Sequence, residues 1–269
     1  MIGADRCDRD IMNAINLCRE LDMHLSVLVV GLAPFPMGGH GAMVSDAWIL
    51  EREADVAAIK MRQKRIKSLA NAYGILTDVG ICYADSDGAD EMIGQRARFS
   101  DVTVIGPDLL HQPDLKAPAI NGALFHSGRP ILIIPAGRWP TLRPATVLLA
   151  WDSRIEAARA AREAIGLMAG AHKVHVTMID AKVSADATDI EARVNIAAYL
   201  TLHGAKVTID RVPSLGRPIA EVLKQHAIEI SADMMVMGAY SHSRLRERLF
   251  GGVTKSMIDC PTLPVLMMH

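Results

Sequence analysis

Ser231-Ala-Asp-Met-Met-Val-Met-Gly238-Ala-Tyr-Ser-His-Ser-Arg-Leu-Arg-Glu-Arg-Leu-Phe-Gly251-Gly-Val-Thr254 is the stretch on which the fold of this chain turns. Met234 to Met237 is an apolar run that reads as a buried strand. Gly238 then makes a turn, an arginine-rich loop follows, and Gly251-Gly252 opens a helix. In a parallel α/β sheet such a strand-loop-helix passage is where phosphate is held. Glycines let backbone N–H groups come close to the oxygens, and a helix N-terminus carries partial positive charge.

The first half of the chain contains a match in kind. Ser100-Asp-Val-Thr-Val-Ile-Gly106-Pro parallels Ser231 to Ala239, and Arg129-Pro130-Ile-Leu-Ile-Ile parallels Leu263-Pro264-Val-Leu-Met-Met. Upstream of each pair lie an amphipathic helix, a strand, a loop, a second helix and another strand. In the first half Ile11, Ala14, Ile15, Cys18 and Leu21 form one helical face before the strand Leu25 to Val30. In the second, Val147 to Ala150 is a strand, Ile155 to Met168 a helix and Val174 to Ile179 a strand. Alternating strands and helices predict parallel sheets with right-handed crossovers.

The seam between the halves is expected in Ala-Gly-Arg-Trp-Pro-Thr-Leu, residues 136–142, which divides the chain into 1–138 and 139–269. The first half has almost no opening strand, only Met1-Ile-Gly-Ala4. Either that strand is very short or the start has been placed late. Gly31 to Ser45, rich in Gly and Pro, is expected to be a mobile cover over the first crevice.

Composition limits the function classes. Of 269 residues, 50% are hydrophobic and only 4% aromatic, which suits a core of Ala, Val, Ile, Leu and Met. A formal net charge of −1 supplies no global attraction to nucleic acid or to an anionic membrane. Neither is expected as a partner, and no apolar run approaches the ~20 residues of a membrane span. Cys7, Cys18, Cys82 and Cys260 are scattered without Cys-x-x-Cys spacing, as in a reduced, cytoplasmic protein. None of the ten histidines stands in a local pair such as His-Glu-x-x-His, so no metal site is expected.

The second half resembles the universal stress protein family. Its ATP-binding members show glycine, two residues, glycine, nine residues, glycine, then serine or threonine. Here the pattern runs Gly238, Ala239-Tyr240, Ser241, His242 to Phe250, Gly251, Gly252. Ser241 stands where the family has glycine, and Gly252 where it has a hydroxyl residue. Thr254 still offers a hydroxyl at the helix start. The resemblance implies a tandem universal stress protein, two doubly wound Rossmann-like domains of the adenine nucleotide alpha hydrolase-like type packed as an internal pseudo-dimer, with a homodimer left open.

The resemblance also implies a site. Asp152, after the first strand of the second half, would meet the ribose, and the backbone of Ala150 and Trp151 would face the adenine. Gly238, Ser241, Gly251, Gly252, Val253 and Thr254 would hold the phosphates of ATP or AMP, with Mg²⁺ as the accompanying ion. In the first half Pro107 removes an N–H donor and Asp108 brings negative charge, so no nucleotide is expected there.

Each of these features also has a plain structural reading. The glycines could serve only turns and helix packing, and an Asp before a helix is a routine cap. Arg244, Arg246 and Arg248 could draw in phosphates or simply be solvated. Lys60, Arg62, Lys64, Arg65 and Lys67 are read as the solvated face of a helix whose apolar stripe is Ile59, Ile66, Leu69 and Tyr73. No nucleophile–base arrangement is legible. The expected function is a nucleotide-responsive stress protein that alters contacts with an unidentified protein partner. The alternatives are a scaffold that binds no nucleotide and a weak ATPase.

Overall fold

The computed structural model describes residues 2–3, 8–33, 46–180, 196–240 and 252–269. The chain divides into two compact units, Met1–Arg129 and Pro130–His269. Both are α/β.

In the first unit β1 (Ile2–Gly3), β2 (Leu25–Leu32) and β3 (Thr77–Ala84) form a parallel sheet in the order β1-β2-β3. The opening strand is indeed very short: Ile2 pairs with Val29 and Gly3 with Val30. Helices α1 (Asp8–Leu21) and α2 (Asp46–Ala72) lay Ile11, Ile15, Cys18, Ile59 and Ile66 on Val27, Val29 and Val79. Each fully buried aliphatic side chain in such a cluster contributes roughly 1.5–3 kcal/mol by removal from water. The remaining elements are α3 (Ser86–Ala97), β4 (Thr103–Ile105), α4 (Pro107–Leu110) and α5 (Pro113–Phe125).

The expectation of a wholly solvated basic face on α2 needs one correction. Arg62 is only 7% exposed, and its Nη1 donates to Asp8 Oδ1 at 2.7 Å. Arg65 donates to the other oxygen of the same carboxylate at 3.0 Å. Arg62 falls between Ile59 and Ile66 at helical spacing, so the turn of the helix carries it round to the buried stripe. There the first turn of α1 supplies its counter-charge. The expected cover over residues 31–45 lies outside the described residues, apart from 31–33.

The second unit is a doubly wound sheet. Its strands are β5 (Ile131–Ile133), β6 (Thr146–Ala150), β7 (Lys173–Ile179), β8 (Val207–Val212), β9 (Met234–Gly238) and β10 (Val265–Met268). They run in the order β5-β10-β9-β6-β7-β8, all parallel except β5. Between them lie α6 (Ile155–Glu163), α7 (Ile165–Gly170), α8 (residues 196–202), α9 (Ile219–Glu229) and α10 (Gly252–Asp259). The long helix expected over 155–168 is broken at Ala164 into α6 and α7.

The two proline-led strands pair with each other, Leu132 opposite Leu266. β10 is not an edge, because its other side carries β9, Leu266 opposite Val236. Proline precedes β10 rather than interrupting it, so no ladder donor is lost inside the strand. The pairing also explains why residues 130–138 fall in the second compact unit, although the sequence places the seam after 138.

Candidate functional site

In the second unit β6 has β7 on one side and β9 on the other, so successive connections leave it in opposite directions. The crevice beyond the carboxyl ends of β6 and β9 is the topological switch point of the sheet, where open α/β folds bind ligands. Ala150 pairs with Met237 there, which brings Trp151 and Asp152 alongside Gly238.

Asp152 is exposed, and its Oδ1 accepts the backbone N–H of Arg154 at 3.1 Å. This local turn leads through Ser153, in the left-handed region at φ 62, into α6. Trp151 donates its backbone N–H to Thr177 O at 2.9 Å, and its buried indole Nε1 has no hydrogen-bond partner among the described residues.

Gly238 has to be glycine for a reason internal to the fold. A Cβ there would lie 2.6 Å from the backbone N of Ala157 and 2.7 Å from the carbonyl carbon of Glu156, in the first turn of α6. The left-handed residue of this turn is Tyr240, at φ 56. A non-glycine residue in that region costs on the order of 1 kcal/mol or more. Its backbone N–H donates to Thr254 Oγ1 at 3.3 Å, and burial pushes the Tyr240 phenol well above its ordinary range. Thr254 is only 4% exposed, so its hydroxyl ties the β9 turn to α10. Gly252, by contrast, is exposed at the start of α10, and a Cβ there would meet nothing among the described residues.

Of the residues expected at the site, Ala150, Trp151, Asp152 and Gly238 therefore meet at the switch point, and Thr254 is bound to the same turn. Gly252 and Val253 begin the helix that Thr254 anchors. Ser241 and Gly251 lie outside the described residues, as do Arg244, Arg246 and Arg248. The residues present fit an adenine nucleotide at an exposed carboxylate and an open helix start. Gly238 and Thr254 already have packing roles.

The corresponding turn of the first unit contains a residue that local motif reading passes over. Asp10, in the first turn of α1 and 3% exposed, accepts the N–H of Asp108 at 3.0 Å and of Leu109 at 2.9 Å. A Cβ on Gly106 would collide with this carboxylate. Burial pushes the Asp10 carboxyl above its ordinary value, against the downward pull of the two N–H donors. Asp108 itself is paired with Arg9, Nε to Oδ1 at 2.7 Å. The only sequence signal for this seat is an aspartate in the first turn of the helix that faces the glycine.

Residues 145–269 match the model of the Universal stress protein family. Among solved structures, a universal stress protein from Archaeoglobus fulgidus DSM 4304 superposes with a TM-score of 0.67 at 17% identity, covering 99% of this chain and 95% of that one. A candidate universal stress protein from Pseudomonas aeruginosa UCBPP-PA14 gives a TM-score of 0.58 at 16% identity, covering 99% and 90%. No curated protein matches the chain. Residues 145–269 are thus similar in sequence to the Universal stress protein family, and over nearly its whole length the chain shares the α/β fold of a solved universal stress protein.

Proposed function

We propose that the second unit binds an adenine nucleotide, ATP or AMP, in the crevice between the ends of β6 and β9, and that occupancy alters contacts with a protein partner. The observation that carries the reading is the convergence at the switch point of the exposed Asp152 carboxylate with the Gly238 turn, to which α10 is tied. Asp152 would accept from the ribose hydroxyls. The N–H groups of Gly252 and Val253, free of helical partners at the start of α10, would donate to phosphate oxygens. Mg²⁺, bound with the nucleotide, would neutralise phosphate charge.

Two tests address this reading. Freshly purified protein is denatured and the released small molecules are identified by mass, after which ATP is titrated into the emptied chain. We expect one nucleotide per chain and an affinity about tenfold weaker in Asp152→Ala, as for the loss of one charge-assisted hydrogen bond. No released nucleotide and no binding heat would sink the reading. Turnover of ATP that depends on Mg²⁺ and on Asp152 would favour the weak ATPase instead. A specific observation favours the scaffold as runner-up: Gly238 and Thr254 are both explained by packing alone.

A further inference from the structure

His175, Asp210 and His226 come from three different elements and converge on one point beneath α9. His175 and Asp210 face the same side of the sheet: His175 is in register with Thr208 on the neighbouring strand, and Asp210 is two residues further along it. His226 descends on them from α9. Asp210 Oδ2 lies 2.6 Å from His175 Nδ1 and 2.8 Å from His226 Nε2. The three ligand atoms all lie within 4.8 Å of one another. The side chains are 7%, 18% and 12% exposed respectively.

From this convergence we infer that the second unit carries a divalent transition-metal site of the Zn²⁺ class, with His175 Nδ1, His226 Nε2 and an Asp210 carboxylate oxygen as protein ligands and one position left for water. Two imidazole nitrogens and one carboxylate oxygen are a donor set that suits Zn²⁺ and its neighbours in the first transition row, whereas Mg²⁺ and Ca²⁺ prefer oxygen alone. Metal–ligand bonds of about 2.0–2.1 Å put tetrahedral ligand atoms about 3.3 Å apart. From 2.6 and 2.8 Å, Asp210 therefore needs to withdraw by about 0.7 Å from His175 and about 0.5 Å from His226 to admit the ion.

The surroundings supply the outer support that such sites use. His226 Nδ1, the nitrogen turned away from Asp210, is 3.5 Å from Glu229 Oε2 one helical turn on. When Nε2 binds metal the ring proton sits on Nδ1, and Glu229 accepts it there. The expectation of no metal site considered only pairs close in sequence, while here residue 175 meets residues 210 and 226 through strand register and helix packing. The group lies on a sheet face, under a helix, and not at the carboxyl ends of the strands where the nucleotide reading places its crevice.

The test uses the full chain, stripped with EDTA and dialysed. Zn²⁺ is titrated calorimetrically, and Co²⁺ is added separately so that its absorption reports coordination. We expect one Zn²⁺ per chain and the intense visible bands of four- or five-coordinate Co²⁺. His175→Ala and His226→Ala should each lose more than about 100-fold in affinity, the upper range for an outer-shell loss, and Glu229→Gln about tenfold. His203→Ala, at a histidine packed edge-on against Tyr199, should leave binding unchanged. A wild type that gives no saturable Zn²⁺ heat, or a His175→Ala variant that binds as tightly as wild type, would overturn the assignment and leave a hydrogen-bonded packing cluster. If His226→Ala does not fold, the wild-type Co²⁺ spectrum and Glu229→Gln decide: six-coordinate Co²⁺ together with unchanged Zn²⁺ affinity in Glu229→Gln would equally overturn it.

Discussion

The turn after β4 and the turn after β9 solve the same steric problem with different hydrogen-bond acceptors. Each begins at a glycine pressed against the first turn of a helix. At Gly238 the neighbour is backbone, the N of Ala157 and the carbonyl carbon of Glu156. At Gly106 it is the carboxylate of Asp10, which takes the N–H groups of Asp108 and Leu109. An anion belonging to the chain itself thus occupies the donors of the first turn. In the second unit the helix start at Gly252 stays exposed. The repeated fold keeps a glycine against a helix in both copies, while the turn donors go to a carboxylate in the first and, at Tyr240, to the Thr254 hydroxyl in the second.

Breaking the second turn should cost most. Gly238→Val would drive its side chain into backbone atoms that cannot rotate away, and we expect a loss of about 3 kcal/mol. Urea unfolding checks this; an unchanged midpoint would mean that the start of α6 yields freely. Emptying the seat of the first turn comes next. Asp10→Ala leaves one buried and one half-buried N–H donor without that acceptor, for about 2 kcal/mol, measurable in the same way.

The same carboxylate gives a pH test of the comparison. Because folding raises the Asp10 pKa, its contribution to stability is fully present below the ordinary carboxylate range and is lost as pH rises through the elevated value. The difference in unfolding free energy between wild type and Asp10→Asn should therefore shift in favour of the variant as pH rises across that window. A difference independent of pH would show that Asp10 titrates alike in both states.

Smaller effects belong to the second turn. Thr254→Val removes the acceptor of the Tyr240 N–H and should cost about 1 kcal/mol in thermal or urea unfolding. Asp152→Ala, at an exposed position, should change stability by less than about 0.5 kcal/mol. It therefore tests the proposed nucleotide contact apart from folding, which neither Gly238 nor Thr254 can do.

Much of this architecture was legible from periodicity and punctuation. The matched glycines at 106 and 238 and the matched prolines at 130 and 264 announced two copies of one α/β pattern, and the two proline-led strands do pair. What stayed hidden depends on register between distant segments. Asp10 meets Asp108 and Leu109 across most of the first unit, and Arg62 looks like one more exposed base until Asp8 is folded against it. The left-handed residue of the β9 turn is Tyr240, a position where composition suggests no such conformation. His175, Asp210 and His226 carry no local spacing at all. Their meeting follows from which strand lies beside which.

The antiparallel pairing of β5 with β10 also bears on the order in which the second sheet can close. Ile131 to Ile133 leave the ribosome before β6 to β9, yet their partner, Val265 to Met267, follows all of them. The pairing of the early strand with β10 must therefore wait for the late one. Contacts so far apart in sequence slow folding, because the loop entropy is lost before the pairing can offset it. In the growing chain, this ladder closes only after every other strand of the second unit has been made.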